Sequence, residues 1–373
     1  MKIIQLIQKP QRRGAEIFAA QLSEAMRLSG HEVLLVSIFE GDSDLPFNDE
    51  MIKLNRPINN RFFDFKGWND FAKIVKRFNP EFIQANAADT LKFSVFSKIL
   101  FRWKTPIIYR NANQMGDFIR NGLHLSFNQW LLNQVSGVVS VSKASKDNLH
   151  KTFRLSVEKS IVIPIGIDKK HIELSLKEAP HSSLPESYLI QIGGLVQEKD
   201  PIGMLEIFEQ NAKNNPELHL VYVGSGPLEA SLREAIKVRN LGQIVHLIPN
   251  QLNIFPILSR AKAMAMPSKI EGLPAVILEA MYCKIPIVAY AVGGIGEIIQ
   301  TDKTGWLVEK GDKAGFGKAI NQVLEMPSAQ LTLITDYGKK MVLEKYTLEK
   351  VANQFEAFYK NLPAKARDQT NNF

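Results

Sequence analysis

Glu271 and Glu279 form an E-x7-E pair within Ser268-Lys-Ile-Glu271-Gly272-Leu273-Pro274-Ala-Val-Ile-Leu-Glu279-Ala280. An apolar run that ends near Pro267 predicts a strand before this segment. Pro274 suits the first turn of a following helix, because the N–H it lacks would have been an orphan donor there. The free N–H groups and positive dipole end of such a helix make an anion site in the crevice at a strand's carboxyl end, where a diphosphate fits. Glu271 in the loop and Glu279 within two helical turns would then lie at different depths beside one ligand. They could accept hydrogen bonds from different hydroxyls.

The elements that must position these groups are legible as an alternation. Short apolar, β-branched runs (3–7, 33–38, 82–85, 106–109, 137–141, 160–164) alternate with amphipathic stretches near 15–29, 66–78, 89–101, 123–134 and 143–151. That pattern predicts a parallel sheet covered on both faces by helices. The polar stretch 176–187 interrupts it and reads as a linker. The alternation then restarts with strands at 188–192, 218–223, 244–248, 263–266, 287–290 and 305–308, and helices at 201–213, 227–239 and 275–283. Two further helices, 329–344 and 347–360, follow the last strand. The chain is therefore expected to be α/β, with two Rossmann-like, doubly wound domains facing across a cleft. These are an N-terminal domain, 1–170, and a C-terminal domain, 171–345. A helix over 346–362 returns to the first domain, and a polar tail covers 363–373.

The chain has 373 residues, 45% hydrophobic and 23% charged, which suits two globular domains and excludes collagenous or wholly disordered classes. Its one cysteine, Cys283, can form no intrachain disulfide and reads as a small apolar helix residue. The run Ile3–Ile7 is too short for a signal sequence, and no apolar stretch is long enough to span a membrane, so a cytoplasmic setting is expected. The net charge of +8 is unevenly placed. Residues 1–170 carry 25 Lys+Arg and 16 Asp+Glu, whereas the remainder carries 21 and 22. A basic first half next to a neutral second half implies that one domain meets an anionic surface or ligand.

Around Glu271 and Glu279 the sequence resembles the family 4 retaining glycosyltransferases of the GT-B fold, and further matches run in order along nearly the whole chain. Gly14-Ala15-Glu16 resembles the family's amino-terminal glycine loop, and Gly30-His31-Glu32-Val33 the entry to its second strand. Val141-Ser142 resembles the end of its first domain, and Ile163-Pro164-Ile165-Gly166-Ile167-Asp168 its interdomain crossing, with Ile165 where an Asn is usual. Gly193-Gly194-Leu195 with Lys199 resembles its diphosphate loop. Val223-Gly-Ser-Gly226-Pro227, Pro286-Ile-Val288, Gly293-Gly294-Ile-Gly-Glu297 and Thr304-Gly305-Trp-Leu307-Val308 complete the series.

The resemblance implies roles for these residues. Glu279 would accept hydrogen bonds from the ribose of a nucleoside-diphosphate sugar. Glu271 would reach the donor sugar, and Gly272 and Leu273 would offer backbone N–H groups, with Gly193, Gly194 and Pro274 lining the same site. Lys199 would neutralise the departing diphosphate, where the main electrostatic demand of the reaction falls. Lys199 and Glu271 are thus the expected catalytic groups, and the family picture needs no protein base because a donor phosphate oxygen takes the acceptor proton. Two positions depart from the pattern. Gly194 stands where an arginine is usual, which makes Arg12, Arg13 and Arg110 candidate compensating cations, and Arg110-Asn-Ala-Asn113 stands where a histidine often follows the strand.

No cofactor is expected beyond the donor itself, and no metal. Asp42-Ser-Asp44 imitates the metal-binding D-x-D of the other major glycosyltransferase fold but sits in a polar loop after the second strand. The seven histidines show no paired ligand spacing.

A second expectation concerns membranes. Phe62, Phe63, Phe65, Trp68 and Phe71 lie among Arg61, Lys66 and Lys73. Phe93, Phe96, Ile99, Leu100, Phe101 and Trp103 lie among Lys92, Lys98, Arg102 and Lys104. Such segments suit peripheral contact with anionic lipid at the inner face of the cytoplasmic membrane, or alternatively ordinary helices packed on the sheet. No nucleic-acid motif accompanies the basic charge.

The expected activity is transfer of a sugar, with retention, from a UDP- or GDP-type donor to a hydroxyl of a saccharide or lipid-linked acceptor. Cell-surface polysaccharide or lipopolysaccharide assembly is the expected setting. The alternatives are a nucleotide-sugar epimerase, or a catalytically silent protein that binds nucleotide sugar or partners.

Overall fold

The computed structural model describes residues 1–178 and 184–362; five residues of the expected linker and the whole of the tail at 363–373 lie outside them. The chain divides into two compact units. One comprises Met1–Gly166 together with the helix that begins at Leu348. The other comprises Ile167–Thr347.

The first unit is built from β1 (Lys2–Ile7), α1 (Gly14–Leu28), β2 (Glu32–Phe39), β3 (Ile52–Arg56), α2 (Phe65–Phe78), β4 (Phe82–Ala85), α3 (Ala88–Phe101), β5 (Ile107–Asn111), α4 (Gly122–Asn133), β6 (Gly137–Ser140), α5 (Lys143–Thr152) and β7 (Ser160–Val162). Its seven strands are parallel in the order β3-β2-β1-β4-β5-β6-β7. Because β1 and β4 hold the point where the strand order reverses, their carboxyl ends frame a crevice. One face buries Ile4, Leu6, Val36 and Ile83 against Trp68, Phe71 and Val75 of α2. The start of α2 is fixed by Asp64, whose carboxylate accepts the Gly67 N–H at 2.9 Å and pairs with Arg56 at 2.8 Å.

The second unit follows with α6 (Lys169–Ser175), β8 (Tyr188–Ile192), α7 (Pro201–Ala212), β9 (His219–Val223), α8 (Glu229–Val238), β10 (Val245–Ile248), α9 (Phe255–Leu258), β11 (Ala263–Met266), α10 (Ala275–Tyr282), β12 (Ile287–Tyr290), α11 (Ile295–Ile298), β13 (Trp306–Val308), α12 (Lys313–Glu325) and α13 (Ser328–Lys345). Its six parallel strands run β10-β9-β8-β11-β12-β13, so the reversal here lies between β8 and β11. The chain enters and leaves this unit side by side: Ile167 bridges Thr347 in parallel, and the Ile167 N–H donates to the Tyr346 carbonyl at 2.8 Å.

The last helix, α14 (Leu348–Asn361), belongs to the first unit. Phe355 and Tyr359 are fully buried; Phe355 meets Phe18 of α1, and Tyr359 stacks on Phe82 with ring centroids 5.2 Å apart. The Tyr359 hydroxyl donates to Gln84 Oε1. Burying two such rings contributes about 1.5–3 kcal/mol each, enough to hold a terminal helix in place.

Five elements were not foreseen: β3, α6, α12 and the four-residue helices α9 and α11. β3, Ile-Lys-Leu-Asn-Arg, is an edge strand with alternate residues in water, so it shows no continuous apolar run. α6, of 7 residues, and α12, of 13, are opened by Asp168 and Asp312, which cap the N–H groups of His171 and Gly315. Pro274 precedes α10 as its extended N-cap rather than lying in its first turn.

Candidate functional site

At the carboxyl end of β8 the chain turns through Gly193 and Gly194, and at the end of β9 through Gly224 and Gly226. The two turns press backbone on backbone. A Cβ on Gly224 would lie 1.9 Å from the Gly193 carbonyl oxygen, and both residues hold positive φ, +154° and +148°. The Gly193 N–H donates to the Val223 carbonyl at 3.0 Å, which locks the turn.

From that turn the chain reaches Lys199, whose carbonyl accepts from Gln191 Nε2 at 2.8 Å. Asp200 then caps α7 by accepting the Gly203 N–H. The Lys199 stem runs past Gly193, within 3.5–3.8 Å of where a Cβ would be. Its ammonium meets Glu271 Oε1 at 2.5 Å, with side chains 24% and 8% exposed. Lys199 leaves β8 and Glu271 leaves β11, so the pair spans the two strands at which the order of this sheet reverses. The crevice expected at such a point is therefore furnished with a cation and a buried carboxylate.

The loop holding Glu271 is itself held. The Gly272 carbonyl accepts the Gly294 N–H at 2.6 Å, and the Lys269 N–H donates to the Glu198 carbonyl at 2.7 Å. Leu273 is buried. Pro274, extended at ψ 121°, delivers the chain into α10 without any side-chain cap. The first amides of α10 are thus not taken by a capping side chain, as an anion-binding helix start requires.

Glu279 lies in the second turn of α10 and is half-buried. Among the described residues no hydrogen bond or ion pair reaches its carboxylate, and burial pushes its pKa up to about 7. An enclosed carboxylate without a partner is suited to accept hydrogen bonds from ligand hydroxyls. Ser268, at the root of the same loop, is fully buried and its Oγ has no hydrogen-bond partner among the described residues. Neither Ser268 nor the clasp between Gly272 and Gly294 was legible beforehand, since a lone serine and a paired glycine carry no distinguishing spacing.

In the first unit, Gly14, Ala15 and Glu16 open α1, again without a side-chain cap at Arg13. Space is open around Gly14. Glu16 is 5% exposed, accepts from Gln11 Nε2 at 2.8 Å, and has its pKa raised by burial. Of the three candidate compensating cations, Arg13 is exposed and Arg12 donates to the Asp44 carbonyl at 3.0 Å. Arg110 departs from the expectation that it would be presented to a ligand. It is 1% exposed, its guanidinium lies 4.3 Å from the Phe18 ring centroid, and among the described residues none of its three side-chain nitrogens has a hydrogen-bond partner. Burial pulls its pKa down to about 10, against the stabilising charge of Glu16. The cause is strand periodicity: Tyr109 joins the core on one face of β5, which turns Arg110 onto the other, beneath α1.

Among the described residues, no three His, Cys, Asp or Glu side chains are grouped to hold a metal ion, and no helix is long and apolar enough to cross a membrane.

Comparison with known proteins agrees with this architecture. Residues 12–171 match the model described as Glycosyltransferase Family 4, and residues 175–341 match Glycosyl transferases group 1. An uncharacterized glycosyltransferase of Haemophilus influenzae is 23% identical over 92% of this chain and 95% of its own length. The amylovoran biosynthesis glycosyltransferase AmsD of Erwinia amylovora is 24% identical over 89% and 94%. Among solved structures, Anabaena HepE in complex with UDP and glucose superposes with a TM-score of 0.80 at 18% identity, covering 97% of this chain and 100% of that one. With both halves matched in order and each sheet reversing where a nucleotide-binding fold requires, the chain belongs to the family 4 glycosyltransferases of the GT-B fold.

Proposed function

We propose that this glycosyltransferase moves a sugar from a UDP-type donor to a hydroxyl of a saccharide or lipid-linked acceptor, with retention at the anomeric carbon, in cell-surface polysaccharide assembly. The observation that carries this reading is the Lys199–Glu271 pair at the β8/β11 reversal, one turn from the uncapped start of α10. UDP bound to HepE and the amylovoran role in AmsD's name support the donor and the setting.

In this reading the donor diphosphate lies against the α10 amides and draws the Lys199 ammonium away from Glu271. Lys199 neutralises charge as the bond from the anomeric carbon to the phosphate oxygen breaks. Glu271, released, accepts hydrogen bonds from the donor sugar, and Glu279 accepts those of the ribose. The proton of the attacking hydroxyl passes to the leaving phosphate. Basic side chains and amide dipoles perform the neutralisation, and no metal takes part.

Thermal-shift titration against UDP, GDP, ADP and CMP and their sugar conjugates tests the donor, because a ligand bound only to the folded state raises stability by about 2.7 kcal/mol at a hundredfold excess over Kd. A shift confined to uridine nucleotides and lost in Glu279→Ala supports the proposal. A shift with another base alone overturns the UDP assignment. The anomeric configuration of the transferred sugar, read by NMR, tests retention. Gly194 in place of the usual arginine favours one rival, a silent binder, which predicts the same shift with neither transfer nor donor hydrolysis.

A further inference from the structure

One flank of the first unit leaves several aromatic side chains in water, of a kind that most of the molecule buries. Phe62 and Phe63 are each 75% exposed, Phe65 54%, Ile99 47% and Leu100 46%. Scattered apolar residues on a surface carry no message, but these are connected. Phe65 meets Phe101, with centroids 5.5 Å apart, and Phe63 meets Trp68 edge-on at 5.4 Å. Trp68 stacks on Phe96 at 5.1 Å, and Phe96 reaches Trp130 of α4. The seam therefore runs from the turn before α2, across α3, to α4. The core does not need its outer members, since α2 already buries Trp68, Phe71 and Val75.

The charge around the seam has one dominant sign. Residues 57–104 hold 9 Lys+Arg against 4 Asp+Glu. Two of those acids are engaged internally, Asp64 with Arg56 and Asp89 with Arg61 and Lys92. Lys92 Nζ lies 4.4 Å from the Phe62 ring centroid, so cation and aromatic already share one surface, and Lys66, Arg102 and Lys104 are exposed beside it. Two copies meeting through this flank would bring like-charged rims together. An anionic lipid surface meets both requirements at once, taking the phenyl rings into its interface and the basic side chains among its headgroups.

We propose that this flank of the first unit docks on an anionic membrane surface, with Phe62, Phe63 and Phe65 entering the interface and Lys66, Arg102 and Lys104 meeting lipid phosphates. The test is flotation of the full chain with vesicles of phosphatidylcholine alone or mixed with phosphatidylglycerol. Two variants accompany it, Phe62→Ser/Phe63→Ser and Lys66→Glu/Arg102→Glu. All four positions are exposed, so both variants keep the wild-type Tm and its nucleotide-induced shift, which reads the second unit independently. The expected result is binding to mixed vesicles that falls by about tenfold or more in each variant and weakens with salt. Absent binding, equal binding to neutral vesicles, or full binding by the Phe62→Ser/Phe63→Ser variant overturns the proposal. A concentration-dependent dimer that this variant abolishes also overturns it and assigns the flank to a second copy of the chain.

Discussion

Lys199 and Glu271 lie 72 residues apart in sequence, yet their charged atoms meet at 2.5 Å, closing the gap between the loops that leave β8 and β11. A cation held this way, three-quarters buried against a carboxylate, is positioned before any ligand arrives. Once the diphosphate has drawn it from Glu271, a cation already at the site needs little further reorganisation as the phosphate departs.

Lys199→Ala should lower kcat by roughly 10²- to 10³-fold, the usual effect of deleting one preorganised group that stabilises a departing charge. Because the buried Glu271 carboxylate would lose the Lys199 ammonium, the variant should also lose about 1–3 kcal/mol of stability. Lys199→Arg should recover stability more fully than turnover. Steady-state kinetics and urea unfolding read the two effects, and turnover within twofold of wild type would sink the assignment.

Glu279 gives a pH signature. Its folded-state pKa of about 7 lies above the ordinary carboxylate value of 4.5, so the folded state holds the proton more tightly than the unfolded state. The stability this group contributes is full below the unfolded value and is lost as pH rises towards 7, then stays level. Relative to wild type, Glu279→Gln should therefore gain stability between about pH 5 and pH 8. Ribose hydroxyls need the ionised carboxylate, so nucleotide affinity should rise through about pH 7 in wild type and stay flat in the variant. Calorimetric titration across that range provides the check.

Gly224→Ala and Gly14→Ala should separate close backbone packing from open space. At Gly224 a Cβ would meet the Gly193 carbonyl at 1.9 Å on a backbone of φ +154°, so the substitution should cost more than about 2 kcal/mol and abolish nucleotide binding. At Gly14 nothing lies within 4 Å, and alanine in the first turn of α1 should stabilise by about 0.4–1 kcal/mol. Activity that falls in Gly14→Ala while Tm rises would show that substrate approaches this turn.

Arg110 and Glu16 should prove coupled. Burial raises the Glu16 pKa against the Gln11 hydrogen bond and the charges of Arg13 and Arg110, and Glu16 is the first charge that opposes the burial of Arg110, so Arg110→Met should raise the Glu16 pKa slightly further. Glu16→Gln in that background should be less damaging than in wild type. A double-mutant cycle on unfolding free energies should return an interaction of about 0.5–3 kcal/mol, and additivity within error would exclude it.

The alternation of most strands and helices, the E-x7-E segment, the glycine turns and the basic first half were legible beforehand, because periodicity, proline and glycine placement and charge are local properties. Boundaries at β8, β11 and β12 agree to the residue, since those strands are buried runs bounded by turn residues. Composition also marked the aromatic segments at 61–104, but their exposure depended on which helix face the sheet had already claimed. Tertiary structure alone decided three matters. It joined Lys199 to Glu271 by setting β8 beside β11, a pairing that strand order creates and spacing along the chain does not encode. It turned Arg110 beneath α1, because the neighbouring Tyr109 took the opposite core face. And it left Glu279 without a partner among the described residues, since burial and hydrogen bonding belong to the packed neighbours of a side chain rather than to the residue itself.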